Sequence, residues 1–310
     1  MLSDDLREEL AAIAPERECD RLAELSGLFH VAGRAHLRGR GSVDVHLDVG
    51  SSTVARRAFT LLRALGVTSE IRTYRRTAFD RATRYQLHVE GSPAAHAVLH
   101  RAGVLDHAHR PLDHPPQRVV ARRCCAGAYL RGVLLGAGTL SGPRDAHLEI
   151  RAAEPEGARF VADLAARLGA QLHVQERATH SAAYAKGVEA IADVLVAAGA
   201  TDVVLALEEQ AVLAATRADA NRLANADHAN LVRTGRAAHV QLEALRRLDV
   251  DGLPDDLREI ALLRLRHPTA STAELARRCK PALTKASAYR RLRRLQELSQ
   301  AEAGGFTGYK

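Results

Sequence analysis

Residues 19–33 read CDRLAELSGLFHVAG, and residues 124–138 read CCAGAYLRGVLLGAG. At an offset of 105 the pairs Cys19/Cys124, Leu25/Leu130, Gly27/Gly132, Ala32/Ala137 and Gly33/Gly138 are identical. Further along, EGSPAAHAVLHRAGV (90–104) matches KGVEAIADVLVAAGA (186–200) through Gly91/Gly187, Val98/Val194, Leu99/Leu195 and Gly103/Gly199. A Leu-Gly ending recurs at 65–66 and 168–169. Three matches in the same order indicate internal duplication, and a spacing of about 100 residues is a repeated domain, since solenoid units are shorter.

Each copy has a legible order. In the first, Leu22, Leu25, Leu28 and Phe29 space residues 20–31 as a helix. VDVHLDV (43–49) alternates as a strand, with 35–38 as its hairpin partner across Gly39 and Gly41. A helix runs from Ser51/Ser52 to Leu65-Gly66, where glycine signals a C-terminal cap. Residues 69–76 and 83–90 form a second hairpin, and a helix from Pro93 ends at Gly103. The second copy follows with helix 121–137, strand 145–151, helix 155–168, strands 171–176 and 180–186, and helix 188–198. The expected class is α+β, a duplicated αββαββα domain with two sheets. HRPLDHPPQ (109–117) is the linker between copies.

Gly27, Gly33, Gly132 and Gly138 lie inside or at the end of apolar helices. Glycine inside a helix costs roughly 1 kcal/mol relative to alanine. A small residue offsets that cost where two helix backbones must approach closely. Two copies of one such helix are expected to pack on each other across a pseudo-twofold axis. LSGLFHVAG (25–33) and LRGVLLGAG (130–138) resemble the motif helices of LAGLIDADG homing endonucleases. That resemblance implies two half-domains joined through the motif helices, with sheets forming a saddle over DNA. It also implies an acidic residue at the penultimate motif position, which binds the catalytic metal. Those positions are Ala32 and Ala137 here. Alanine cannot hold Mg²⁺ between attacking and leaving oxygens, so no catalytic residue is expected and nuclease chemistry is expected to be lost.

Beyond the duplication, 202–248 contains no proline and only Gly235. It reads as two helices, 205–217 and 219–248. Asp227, His228 and His239 within it lack the spacing of a ligand set with a third partner, and a polar helix or turn accounts for them. DVDGLP (249–254) is a second linker. LPDDLREIALLRLRHP (253–268) is then a helix with Leu257, Ile260, Ala261 and Leu265 on one face. STAELARRC (271–279) opens with the capping-box pair Ser271 and Glu274. KASAYRRLRRLQEL (285–298) follows, with Thr284 as N-cap and Ala288, Leu292 and Leu295 as its apolar stripe. The opposite face carries Ala286, Ser287, Arg290, Arg293 and Arg294, flanked by Lys285 and Arg291. This is the pattern of a helix-turn-helix whose third helix enters the major groove of DNA. Ser287 and Arg290 lie where base edges are reached; Arg291, Arg293 and Arg294 are placed for phosphates.

Composition agrees. The chain has 310 residues, 26% charged and 46% apolar, which is globular. Its net charge is +7, and residues 254–300 alone carry +6, the footprint of a polyanion partner. No uncharged run exceeds the twelve residues 132–143, so no spanning helix is expected. The acidic start MLSDDLREEL has no apolar stretch of a signal peptide. Cys19, Cys124, Cys125 and Cys279 show no zinc spacing and read as reduced thiols of a cytosolic protein. No metal site and no cofactor are expected. Secreted, membrane and zinc-finger classes are thereby excluded.

Taken together, RLAELSGLFHVAG (21–33), YLRGVLLGAGTLSGPRDAHLEI (129–150), NRLANADHANLVRTGRAA (221–238) and LPDDLREIALLRLRHPTASTAELA (253–276), followed by TKASAYRRLRRL (284–295), resemble the WhiA family. The resemblance covers nearly the whole chain. It implies a DNA-binding regulator of sporulation, cell division and chromosome segregation, cytoplasmic and nucleoid-associated, with double-stranded DNA and a WhiB-type iron–sulfur regulator as partners and no cofactor of its own. The expected layout is a first repeat over 1–108, a second over 118–200, a helical linker over 201–250, the helix-turn-helix over 251–300 and a disordered tail over 301–310. A residual nuclease and a protein-interaction scaffold are the competing functions.

Overall fold

The computed structural model describes residues 2–38, 42–75, 82–142 and 145–304. They divide into two units, 1–215 and 216–310.

Unit 1 is built on two glycine-bearing helices, α2 (Glu18–Ala32) and α5 (Arg123–Ala137). A Cβ on Gly27 would stand 2.3 Å from the Tyr129 carbonyl oxygen, and one on Gly132 would stand 2.2 Å from that of Glu24. The contact is reciprocal, so at these two positions each helix backbone sits where the other's side chain would have to be. Gly33 and Gly138 do not belong to that contact, contrary to the reading from sequence. They end their helices in extended conformation, and an added Cβ would strike the Phe29 and Leu134 carbonyls of their own last turns.

Around this pair each repeat folds as expected from its alternating strands. The first contains β1 (Gly33–Arg38), β2 (Ser42–Val49), α3 (Ser52–Ala64), β3 (Glu70–Arg75), β4 (Thr83–Val89) and α4 (Pro93–Arg101). The second contains β5 (Gly138–Ser141), β6 (His147–Ala152), α6 (Pro155–Leu168), β7 (His173–Glu176), β8 (Ser181–Lys186) and α7 (Val188–Ala198). Both sheets are antiparallel, in the orders β1-β2-β4-β3 and β5-β6-β8-β7. The hairpin link across Gly39 and Gly41 lies outside the described residues. Gly66, Gly103, Gly169 and Gly199 end helices with positive φ, as their Leu-Gly and Ala-Gly contexts predict. Strand β5 escapes sequence reading because it has four residues and begins directly at the end of α5, with no turn to announce it.

Helix α1 (Leu2–Ala12) is a further addition. It buries Leu6 and Leu10 and covers the free edge of β5. Ser3 Oγ donates to the Leu140 carbonyl and accepts from the Leu140 amide, both at 2.8 Å, and so closes an edge that could otherwise pair with another chain. The Glu9 carboxylate accepts from the amides of Asp202 and Val203, each at 2.8 Å, capping the next helix.

That helix, α8, runs unbroken from Thr201 to Leu245. The two helices expected over 205–248 are therefore one. No proline interrupts the stretch and Gly235 alone is too weak a breaker, costing about 1 kcal/mol. Val203, Val204 and Leu207 belong to the core of unit 1, and Leu245 to that of unit 2. Residues 221–233 are exposed throughout, Asp227 and His228 included, and no turn forms there.

Unit 2 contains α9 (Asp255–Arg266), α10 (Thr272–Arg278) and α11 (Lys285–Gly304) around a core of Leu257, Ile260, Leu275, Ala288, Leu292 and Leu295. Residues 301–304 continue α11 instead of opening a disordered tail; 305–310 lie outside the described residues.

Candidate nucleic-acid interface

The turn between α9 and α10 is held by an arginine. The sequence pattern puts Leu265 on the buried face of α9, yet Leu265 is 42% exposed and Arg264 is 1% exposed. The Arg264 guanidinium donates to the Ala270 carbonyl at 2.5 Å, with the His267 and Pro268 carbonyls nearby. A buried guanidinium needs acceptors; three carbonyls of the turn surround Nη1, while the buried Nε has none among the described residues. Ser271 caps α10, its Oγ accepting from the Glu274 amide at 3.2 Å. The other half of the expected capping box does not close: the Glu274 carboxylate accepts from Arg278 at 2.7 Å, which also holds it below the usual carboxylate range.

Helix α11 starts where its sequence says it should. Thr284 Oγ1 accepts from the Ser287 amide at 3.1 Å. Ala288, Leu292 and Leu295 are buried to 1% exposure or less, and that stripe orients the rest. Lys285, Ala286, Arg290, Arg293 and Arg294 face solvent. Ser287 is half-buried, its Oγ accepting from Thr284 at 3.0 Å and from Arg290 at 3.3 Å. Arg293 and Arg294 share the Glu297 carboxylate at 3.2 and 3.5 Å. Such exposed pairs are weak and readily exchanged for a phosphate.

Arg291 departs from its expected place among the phosphate contacts. It is half-buried, donates to the Asp256 carbonyl at 3.1 Å, and lies 3.6 Å from the Asp256 carboxylate, so it ties α11 to α9. One exposed side chain escaped the sequence reading: Tyr289 is 57% exposed, between Ala286 and Arg293 on the same face at helical spacing.

The faces of the two sheets that would form a saddle are different. On β2, Val43, Val45, Leu47 and Val49 point into the core, and Asp44, His46 and Asp48 point the other way. The Asp48 carboxylate accepts from the Tyr74 hydroxyl at 2.6 Å and lies 3.7 Å from His46. His36 and His46 stack at 4.6 Å. Burial, and then His36, press the His46 pKa down. On the second sheet Glu149 accepts from Arg151 at 2.8 Å and from Arg177 at 3.1 Å. Burial opposes its ionisation, but the two arginines prevail and hold it below the usual carboxylate range. On these faces the Asp48 and Glu149 carboxylates are each engaged by side chains of the protein itself.

Ala32 and Ala137 are the last residues of α2 and α5. Val31 and Gly136 pack against each other there, and neither alanine can bring a carboxylate to that junction. Among the described residues, the metal-competent cluster lies at the other ends of these helices, where Cys19, Asp20, Cys124 and Cys125 converge. Sequence spacing could not reveal it, because each repeat supplies only part.

Comparison with known proteins agrees with this layout. Residues 18–105 match the WhiA N-terminal LAGLIDADG-like domain, 126–217 the WhiA LAGLIDADG-like domain, and 220–299 the WhiA C-terminal HTH domain. The chain is 34% identical over 303 residues to a probable cell division protein WhiA of Heliobacterium modesticaldum, covering 96% of this chain and 95% of that one. It is also 34% identical to the corresponding protein of Symbiobacterium thermophilum over 96% of both. The crystal structure of full-length DUF199/WhiA from Thermatoga maritima is similar with a TM-score of 0.55 at 22% identity, over 96% of this chain and 97% of that one. No helix among the described residues is long and apolar enough to cross a membrane.

Proposed function

The chain belongs to the WhiA family, and on that premise we propose that it is a sequence-specific DNA-binding transcription regulator acting in cell division, sporulation and chromosome segregation. It works in the cytoplasm, on the nucleoid. The observation that carries this reading is the two-sided α11: a fully buried Ala288/Leu292/Leu295 stripe fixes Arg290, Arg293 and Arg294 toward solvent. In this reading α11 enters the major groove. Lys285, Ala286, Ser287 and Arg290 meet base edges, and Arg293 and Arg294 hold phosphates. Arg291 positions the helix through Asp256. The duplicated domain cuts no DNA, because Ala32 and Ala137 stand where a metal-binding carboxylate would be needed.

The test is a salt titration of the full-length protein on duplexes selected from a random pool, with Mg²⁺ present. The expected result is steep salt dependence and no nicking. Arg290→Ala is expected to lose about 1–3 kcal/mol of discrimination between selected and random DNA. Undiminished discrimination, or Mg²⁺-dependent nicking, overturns the corresponding assignment.

A second reading concerns unit 1 alone. The Asp44, Asp48 and Glu149 carboxylates on its sheet faces repel phosphates and favour a protein partner there, for which the family resemblance offers a WhiB-type iron–sulfur regulator. Binding of such a partner that survives removal of Arg293 and Arg294 is its expected signature.

A further inference from the structure

Cys19 sits in the first turn of α2 and Cys124 in the first turn of α5, at equivalent places in the two repeats. The reciprocal packing of these helices brings their N-terminal ends together. There Cys19, Asp20, Cys124 and Cys125 converge, with three sulfurs and a carboxylate oxygen all within 4.8 Å of one another. Cys124 Sγ lies 3.8 Å from Cys125 Sγ, and Cys19 Sγ lies 3.6 Å from Asp20 Oδ1. A tetrahedral zinc ion with Zn–S bonds of about 2.3 Å needs its ligand atoms roughly 3.8 Å apart. The Cys124–Cys125 and Cys19–Asp20 separations already match it, and the others, within 4.8 Å, need to close by at most about 1 Å.

The chemistry of its surroundings agrees. Three thiols and one carboxylate are an excess of acidic groups for one small volume. Arg17 is close by, its guanidinium 3.9 Å from Cys124 Sγ. Two helix N-termini meet here as well, each with a partial positive charge, but burial and the crowding of Cys19, Asp20 and Cys124 push the Cys125 thiol well up, so its proton leaves only when a cation takes its place. The site is reachable from two sides. Cys124 and Asp20 line a cavity of 790 Å³, and Cys19 lines another of 290 Å³. Cys125 closes the cluster from the buried side.

We propose that Cys19, Asp20, Cys124 and Cys125 form a structural zinc site that clamps the first turns of the two motif helices together. Soft sulfur ligands with one oxygen in tetrahedral spacing select a d¹⁰ ion over Mg²⁺ or Ca²⁺. Loading exchanges the three thiol protons, released to solvent, for one Zn²⁺. The ion joins the two repeats at the helix ends remote from Ala32 and Ala137. It has no role in DNA cleavage and does not depend on how α11 binds DNA.

The experiment uses reduced full-length protein, stripped with a chelator and titrated anaerobically with Co²⁺. The expected result is one equivalent bound, with sulfur-to-cobalt charge-transfer absorption and tetrahedral d–d bands, both erased by one equivalent of Zn²⁺. Zn²⁺ is also expected to raise the melting temperature, since it binds the folded state. Cys19→Ser and Cys124→Ser should weaken binding by more than the roughly 10–100-fold that loss of an outer-shell partner costs. Asp20→Asn should keep the charge-transfer bands at lower affinity, which guards against misreading a misfolded variant. Cys279→Ser, in the core of unit 2, should behave as the parent. Absence of charge-transfer bands in the parent overturns the proposal, as do bands that persist in the Cys19→Ser/Cys124→Ser double variant. A Cys19–Cys124 disulfide formed by mild oxidant, in protein that binds no Co²⁺ when reduced, overturns it in favour of a thiol switch.

Discussion

The buried arginines at the centre of unit 1 and the exposed arginines on α11 of unit 2 play opposite parts. At the centre of unit 1 Arg57 and Arg131 turn inward. Glu24 on α2 is fully buried and receives Arg57 Nε at 2.6 Å, Arg57 Nη2 at 2.9 Å and Arg131 Nε at 2.9 Å. Arg131 also donates to the Ala198 carbonyl at 3.2 Å. In unit 2 Arg264 turns inward, but Arg290, Arg293 and Arg294 stay in solvent with weak partners. A count of charges along the chain treats all of these alike. What separates them is the presence of a buried carboxylate or carbonyl to receive the guanidinium. Where one exists the arginine holds the fold; where none does it is left for an outside anion.

The strongest test of this contrast is Glu24→Ala. Removing one member of a buried ion network leaves two guanidinium groups without their counter-charge, at a cost of about 3–5 kcal/mol. Urea unfolding of unit 1 should show that loss, with DNA discrimination by the folded protein unchanged. A loss below about 1 kcal/mol would mean that Arg57 and Arg131 find water, and the contrast would fail.

Next is a titration inside unit 1. Burial, opposed by a hydrogen bond to Ser26, lowers the pKa of His30 to about 4. The unfolded chain takes up this proton first, near pH 6.5, so stability is full above that value. It declines as the pH falls toward 4, by on the order of 3 kcal/mol in all. His30→Leu should flatten this part of the pH–stability curve. An equally steep curve in the variant would place the proton uptake elsewhere.

Smaller effects are expected on α11. Arg293→Ala/Arg294→Ala should reduce the log–log salt slope of DNA binding by about 2 and weaken binding alike on all sequences, with stability unchanged. An unaltered slope would mean that Glu297 holds both arginines in the complex. The smallest effect belongs to the sheet. Glu149→Gln should leave DNA affinity within about 0.5 kcal/mol, as for a residue away from the interface. A clear gain in affinity would show that the sheet faces DNA and that Glu149 had been repelling it.

Much of this molecule can be read locally. The period of Leu22, Leu25, Leu28 and Phe29, the alternation of VDVHLDV, the capping hydroxyls of Ser271 and Thr284, and the Leu-Gly endings all depend on residues within a turn or two of each other. The same holds for the stripe on α11, which is why five of the seven residues that the sequence assigns to its DNA face are exposed as the helical period places them. Duplication extended this reach, because two copies of a glycine helix imply each other as partners. Local rules fail at particular places: Leu265 and Arg264 exchange the burial expected of them, Glu274 prefers Arg278 to its capping role, and α8 runs through a stretch with no strong stop signal.

The order of helices and strands, the repeat, the pairing of α2 with α5 and the basic face of α11 follow from spacing along the chain, because periodicity and small residues act over short range. The Glu24–Arg57–Arg131 network joins residues 33 and 107 positions apart, and the thiol cluster joins Cys19 to Cys124. A buried charge or a convergent ligand set is stabilised by partners brought together only when the core closes around them, so no window of sequence contains its cause.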